Sequence, residues 1–443
     1  MNLLYAQAGG TTAVINASAA AAIAAAREYG LGEGGRIGKV LAARYGILGV
    51  LAESFVDCGE IDLEALAATP GGLFGSCRFN MPREDEAPAL YARLFDVLAA
   101  HDIGGLLYNG GNGSLAVVAE LSAAARQRGY PLVSVGIPKT IDNDIEGCDC
   151  CPGFGSAAKY LATSMREVSR DLASMSTRKG RIFVMETMGR NVGWLAAATA
   201  LAGRDPDDAP HIILFPEVPF DEVALLAKAE RVLTRLGYCA ITVAEGIRRA
   251  DGSPVRARTY GNDMHLRFGG AGEEIALLVS GVLGCHRHYA APDYLQRSAA
   301  HWVSAIDHVQ AQAVARAAVS YALEGRDGMV ATIRRLSDTP YRWDIVPVAA
   351  VAVADLERRV PREFITDDGM QMSEAGRRYL APLVVGERAV NCADGLPVHG
   401  SQALPMVARK LEQYTGFAAD LVYARPQPPS AESRLDADAS AGL

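Results

Sequence analysis

Asn109-Gly110-Gly111-Asn112-Gly113-Ser114 and, a helix and a strand later, Pro138-Lys139-Thr140-Ile141-Asp142-Asn143-Asp144-Ile145 decide how this chain is read. Each half follows an apolar run of strand type, Leu106-Leu107-Tyr108 and Leu132-Val133-Ser134-Val135. The first half is a glycine-rich strand-to-helix turn. Glycines let backbone N–H groups approach an anion closely, and the helix N-terminus that follows favours negative charge. The second half gathers a lysine, a hydroxyl and two carboxylates within a few residues. That set suits phosphoryl transfer: a cation for the transferring group, a carboxylate for the acceptor's proton, and another to help hold a metal. Two carboxylates two positions apart repel each other unless something positive sits beside them. The bland alternatives are a plain tight turn and a helix N-cap with a solvated Asp.

Composition narrows the class. The chain has 443 residues, half of them apolar, which is enough for roughly two or three domains with buried sheets. A net charge of −8 argues against a nucleic-acid or membrane-surface partner, since both want a basic face. No apolar run approaches the roughly 20 residues of a membrane span. Ala19 to Ala26 is wholly apolar but short, with no basic flank before it, so it reads as a packed helix and not as a signal peptide. Of the eight cysteines, Cys148, Cys150 and Cys151 cluster without a second Cys or His pair at zinc-like spacing. They read as free thiols of a cytoplasmic enzyme.

Leu3-Leu4-Tyr5-Ala6 is a strand, Gln7 to Thr12 its glycine-bearing turn, and Ala13 to Glu28 an alanine-rich helix. Ile47 to Leu51 reads as a further strand, and residues 92–101 as a helix. Another helix runs from Pro152-Gly153-Phe154 to about Ser174. Arg181 to Glu186, His211 to Phe215 and Cys239 to Ala244 are strand-like. The last of these ends on Glu245-Gly246, where open α/β sheets bind their ligands. Residues 301–324 form an amphipathic helix. Strands alternate with helices, so the fold class is α/β with mostly parallel, helix-covered sheets. Residues 346–423 stand as a C-terminal appendage. Residues 424–443, rich in Pro, Ser, Ala and Asp, read as a disordered tail.

The glycine turn and the Pro-Lys-Thr-Ile-Asp-Asn-Asp turn together resemble those of the phosphofructokinases, and the likeness runs from the first residues to about 345. With Pro152-Gly153-Phe154-Gly155-Ser156, the wording is most similar to the bacterial branch that commonly uses pyrophosphate. The resemblance implies two Rossmann-like domains with the site in the cleft between them. Residues 1–140 plus about 258–305 would bind the phosphoryl donor, and 141–257 plus about 306–345 the sugar phosphate. It implies Mg²⁺-dependent phosphoryl transfer to O1 of fructose 6-phosphate. Asp142 would take the hydroxyl proton, Thr140 hydrogen-bond the transferring phosphate, and Lys139 offset its charge. Asn112 and Asp144 would hold Mg²⁺. Gly10, Arg78, Gly111, Gly113 and Ser114 would bind the donor. Arg181, Met188, Gly189, Arg190, Glu245, Tyr294 and Arg297 would bind the sugar phosphate, along with Thr140 and Asp142. Arg181 would serve the neighbouring subunit of a homodimer or homotetramer. Arg287, within His286-Arg287-His288, is one further unaligned basic candidate.

Two positions depart from the family's usual turn. Asn112 stands where an Asp holds Mg²⁺, and an amide oxygen coordinates a hard cation without adding charge. Gly113 stands where pyrophosphate-specific members carry an Asp that occupies the place of the ATP α-phosphate. Lys139 is the residue of pyrophosphate users. An Asp at 113 would block ATP actively, whereas a Lys at 139 excludes nothing. The donor reading therefore leans to ATP, with pyrophosphate as the alternative. A non-catalytic regulatory subunit is a further alternative, opposed by intact Asp142, Asp144, Lys139 and Arg190. Diacylglycerol and NAD kinases share a glycine turn but lack the Thr-Ile-Asp-Asn-Asp and Tyr-x-Gln-Arg stretches.

Overall fold

A computed structural model describes residues 1–31, 34–176, 179–258, 267–400 and 403–416. The predicted tail at 424–443 lies outside the described residues. The described residues build two large sheets and two small two-stranded pairs. In the first half come β1 (Asn2–Gln7), β2 (Val40–Ala43), β3 (Phe55–Asp57), β4 (Ile103–Gly110) and β5 (Val133–Pro138). Then come β6 (Arg181–Thr187), β7 (Ile212–Leu214) and β8 (Tyr238–Ala244), a two-residue pair β9 (Ala257–Arg258) and β10 (Arg267–Phe268), and β11 (His286–Ala290). After them come β12 (Met329–Asp338) and β13 (Tyr341–Ala349), and then a second two-residue pair, β14 (Cys392–Ala393) and β15 (Leu396–Pro397).

The first sheet has the order β13-β12-β5-β4-β1-β2-β3, parallel across β12-β5-β4-β1-β2 and antiparallel at both edges. From β1 the chain goes to β2 on one side, then returns to β4 on the other. That reversal makes the β1/β4 boundary a switch point, where open sheets leave a crevice at the carboxyl ends. Gln7 is level with Asn109, and Gly110 with Pro138, so the three turns after these strands start side by side. The second sheet has the order β11-β6-β8-β7 and is parallel throughout.

Burial on both faces explains the strand composition. Leu3, Leu4, Tyr5 and Ala6 are wholly buried, as continuous apolar runs in helix-covered parallel strands should be. The helix Ile15–Glu28 is rich in alanine because it is buried nearly all round; its Ser18 hydroxyl donates to Ala311 O at 3.0 Å in the helix Ala305–Leu323. The helix Phe154–Ser174 has no cap of its own. Asp307 supplies one, accepting from Gly153 N at 2.8 Å and Ser156 N at 2.9 Å.

Three expectations are corrected. Ile47–Leu51 is a buried helix, not a strand; a run of five apolar residues carries no period to separate the two. The returning segments are exchanged relative to expectation. The helix Ala271–Leu283 and β11 pack on the second sheet, while Ala305–Leu323, β12 and β13 belong to the first. The expected boundary at 345/346 falls inside β13, and the chain beyond it is no appendage. Val360, Ile365, Met372, Tyr379 and Leu383 enter the second core. The chain then returns to the first sheet, where Val56 and Met406 form an antiparallel bridge and Val407 N donates to Phe55 O at 2.9 Å.

Candidate active site

Three turns of the first sheet converge on one group. Lys139 Nζ donates to Ala8 O at 2.8 Å and to Gly10 O at 2.6 Å, tying the turn after β1 to the turn after β5. Gly10 lies against both guanidiniums: a Cβ there would come within 2.7 Å of Arg297 Nη1, pushing it aside, and 3.7 Å of Arg78 Nη2. Arg78 is brought there by Ser76 and Cys77: Gly9 N donates to Cys77 O at 2.8 Å and the Ser76 hydroxyl to Gly9 O at 2.7 Å. Three cations thus gather at the carboxyl end of β1. Burial pushes the Lys139 ammonium down from 10.5 to about 8, with Arg297 and Arg78 adding to that and Asp142 opposing it.

The acidic side of the cleft lies on residues 140–145. Asp142 N donates to Thr140 Oγ1 at 3.0 Å, which closes the turn. Burial pushes the Asp142 carboxyl up to about 7, with Asp144 and Glu245 adding to it and Lys139 and Arg78 opposing. A carboxyl poised there can accept a proton near neutral pH. Asn143 has a left-handed backbone (φ 56°) and is fixed by its side chain, whose Oδ1 accepts from Cys151 N at 2.8 Å. Asn112, at the start of the helix Asn112–Arg128, donates from Nδ2 to Asp144 Oδ2 at 3.1 Å. Burial, with Glu357 adding to it, pushes Asp144 up. Asn112 Oδ1 and Asp144 Oδ1 are both buried without a partner. Two such oxygens suit a hard cation whose other ligands come from phosphate and water. Among the described residues no three His, Cys, Asp or Glu side chains form a metal cluster, and the cysteines at 148, 150 and 151 are buried and free.

No side chain caps the helix Asn112–Arg128; Ser114 N donates to Gly111 O at 2.8 Å, and the uncapped helix start favours an anion. Ser114 is buried against Gly110. Gly111 lies beside Lys139 O and Thr140, and a Cβ on Gly113 would meet nothing within 4 Å.

The second sheet contributes the opposite wall. Thr187 ends level with Ala244, so Met188-Gly189-Arg190 and Glu245-Gly246 emerge together. Glu245 N donates to Thr187 O at 3.0 Å and Gly246 N to Gly189 O at 3.2 Å. Gly246 must be glycine, because a Cβ would collide with Arg190 O. Burial pushes Glu245 up to about 7, with Glu186 adding to it and Arg190 opposing. The Arg190 guanidinium lies 4.9 Å over the Phe268 ring, and that of Arg297 lies 3.7 Å over Tyr294. Arg181 stands apart. It opens β6, about 20 Å from Thr187 at 3.3 Å per residue, and its Nε donates to Met175 O at 2.7 Å. Arg287 is paired beside it, opposite Ile182, on the outer strand of the sheet.

Several positions at the cleft had no role in the sequence reading. Gln296 is buried and its Oε1 accepts from Met188 N at 3.2 Å. Thr12 is buried with its hydroxyl unpartnered. Glu357 and Arg358 bond to the loops around Asp144 and Asn191. Gln296 lies inside the Tyr-x-Gln-Arg stretch, so its neighbourhood was marked. The other three carried no signal, because a Thr in a turn or a charge pair in a polar run has the composition of solvated surface.

Comparison with known proteins gives a consistent result. The family model described as phosphofructokinase matches residues 2–322. A pyrophosphate–fructose 6-phosphate 1-phosphotransferase from Xanthomonas campestris pv. campestris is 48% identical over 421 residues, 94% of this chain and 99% of that protein. One of the same name from Methylococcus capsulatus is 46% identical over 93% of this chain and 98% of its own. The crystal structure of a pyrophosphate-dependent phosphofructokinase from Nitrosospira multiformis superposes with a TM-score of 0.85 at 42% identity, covering 94% of this chain and 99% of that one. An ATP-dependent 6-phosphofructokinase from Amycolatopsis methanolica is 33% identical over 60% of this chain and 57% of its own.

Proposed function

We propose that this chain, which belongs to the phosphofructokinase family, transfers a phosphoryl group from pyrophosphate to O1 of fructose 6-phosphate in the cytoplasm. The products are fructose 1,6-bisphosphate and phosphate. Phosphotransferase chemistry is that of the family; the donor, the acceptor and the residue roles are our reading. One observation carries it. Asp142 is half-buried, close enough to Lys139 and Arg78 on one side and to Glu245 of the second sheet on the other for all three to act on its carboxyl. A base so placed reaches an acceptor hydroxyl held by one wall and a phosphate held by the other.

In the reaction, Asp142 takes the O1 proton as the new O–P bond forms and the bridging P–O bond of the donor breaks. Thr140 hydrogen-bonds the transferring group. Lys139, Arg78 and the N-terminus of the helix Asn112–Arg128 offset charge on the donor, with Gly10, Gly111, Gly113 and Ser114 leaving the backbone open to it. Met188, Gly189, Arg190, Glu245 and Tyr294 hold the sugar phosphate, joined by Arg297, whose guanidinium reaches across to Gly10 and Lys139 and so lies where the two substrates meet. Arginine suits this because its planar fork binds phosphate bidentately. Asn112 and Asp144 would hold Mg²⁺, which neutralises phosphate oxygens when bound. Arg181 serves the site of another subunit in a homodimer or homotetramer.

Pyrophosphate replaces the ATP inferred from Gly113. Relatives named for pyrophosphate match this chain nearly end to end at 46–48% identity, whereas the ATP-dependent one matches 60% of it at 33%. Gly113 leaves open space, but space alone does not make a nucleotide site. The reading is tested with Asp142→Asn. We expect turnover to fall by about 10²–10⁴ while calorimetry still shows fructose 6-phosphate binding. A variant with the wild-type rate would remove Asp142 from the mechanism.

A further inference from the structure

Beyond β13 the chain passes through Ala350–Val353 and then runs as a connecting segment, 355–360, between two loops. One loop is 142–145, which carries Asp142 and Asp144. The other is 188–194, which carries Met188, Gly189 and Arg190. The same few residues bond to both. Toward the first loop, Arg358 N donates to Asp144 O at 2.8 Å, Glu357 and Ile145 form an antiparallel bridge, and Arg358 Nη1 reaches Asn143 O at 3.5 Å. Toward the second, Asn191 Nδ2 donates to Glu357 Oε1 at 2.6 Å and Trp194 Nε1 to Arg358 O at 2.9 Å. Glu217 Oε1 accepts from both Gly193 N at 2.9 Å and Val360 N at 3.0 Å.

The Arg358 side chain pins the segment. Its guanidinium lies 4.4 Å over the Trp194 ring, and Nη2 donates to the Tyr379 hydroxyl at 2.8 Å. That hydroxyl in turn donates to Asp149 O, which ties in the chain four residues beyond the first loop. A flat fork can stack on a ring and bond two acceptors at once, which an ammonium does not do. Asn143 makes the pin useful. A non-glycine residue at φ 56° holds that conformation only where its surroundings enforce it.

We propose that residues 355–360 are a strap that sets the spacing between the Asp142–Asp144 loop and the Met188–Arg190 loop, with Glu357 and Arg358 as positioning residues for phosphoryl transfer. The proposal rests on the reading of those loops as carrying the base and the sugar-phosphate contacts. Neither positioning residue needs to touch substrate. A displacement of about 1 Å between reacting groups can cost on the order of 100-fold in rate, so a link that fixes two walls of a cleft has kinetic weight. It also gives the C-terminal part of the chain a function in the site and not only in the cores.

Glu357 is exposed, so Glu357→Ala should fold, and it is the variant to measure. We expect its KM for fructose 6-phosphate to rise about tenfold and kcat to fall, with the pyrophosphate KM within about twofold, because the loosened wall is the sugar wall. Glu357→Gln keeps the acceptor for Asn191 and should recover most of the loss. Asn191→Ala added to Glu357→Ala should cost less than the sum of the two single changes, since they share one link and Asn191 further loses only its long bond from Arg248 Nη2 at 3.5 Å. Wild-type constants in Glu357→Ala, or an equal change for both substrates that tracks thermal stability, would overturn the strap. If the wild-type protein itself does not turn over fructose 6-phosphate, the functional reading is what fails. Hydrogen exchange then decides the strap by itself: faster exchange at 144–145 and 189–193 in Glu357→Ala upholds it, and unchanged exchange there overturns it.

Discussion

Lys139 shows how one residue joins stability to binding. Its ammonium is buried against Ala8 O and Gly10 O, and burial lowers it from 10.5 to about 8. Between those values the unfolded chain holds the proton more tightly, so stability rises with pH through that window. At neutral pH the buried charge costs roughly 3 kcal/mol. A polyphosphate needs the charged form, so donor affinity should move the other way. We expect the donor KM to rise above about pH 8, by up to about tenfold per unit, and to be high and flat with pH in Lys139→Met. A donor KM independent of pH up to about 10 in the wild type would show that Lys139 does not meet the donor. Gly113 gives a second expectation. A Cβ there meets nothing within 4 Å, and the position lies in the first turn of a helix. Gly113→Asp should raise stability by about 0.5–1 kcal/mol in urea unfolding and keep pyrophosphate turnover. That Asp142, Lys139 and Arg190 stand in turns at the carboxyl ends of strands could be read from the sequence, because each follows a short apolar run of strand type. Glu357 and Arg358 were not, since Asp355-Leu356-Glu357-Arg358-Arg359 reads as solvated charge and only the fold brings it under the cleft.

At the scale of elements, the helix Phe154–Ser174 depends on a residue far along the chain. Asp307 accepts from Gly153 N, Ser156 N and the Ser156 hydroxyl, and all of these groups are buried. Asp307→Ala would leave three donors without partners, and we expect a loss of about 3 kcal/mol in urea denaturation. A loss under about 1 kcal/mol would mean that water replaces the cap. The strand–turn–helix order of β1, β4 and β5 could be read from alternation alone. Which sheet the later elements join could not. The segments 271–290 and 305–349 carry the periodicity of their elements but no mark of their partners, and they were assigned to the wrong sheets. Sheet membership is set by long-range pairing, such as Arg181 with His286 and Val135 with Met329, which local pattern does not encode.

For the whole molecule, the two sheets present their carboxyl ends to one cleft, and the chain's last described third laces both cores together. Arg181 lies at the opposite end of β6, beside the outer strand β11. If it serves a second subunit, Arg181→Ala should raise the KM for fructose 6-phosphate although its own cleft is intact. Mixing it with Asp142→Ala after co-refolding should then restore up to about a quarter of wild-type activity, because one site of each hybrid dimer is complete. No recovery, or a monomer in sedimentation, would contradict the shared site. The central claim is the donor. The most direct test is the initial rate with fructose 6-phosphate and Mg²⁺, pyrophosphate and ATP compared side by side. We expect turnover with pyrophosphate and little or none with ATP; turnover with ATP alone, or with neither, would contradict pyrophosphate as the donor.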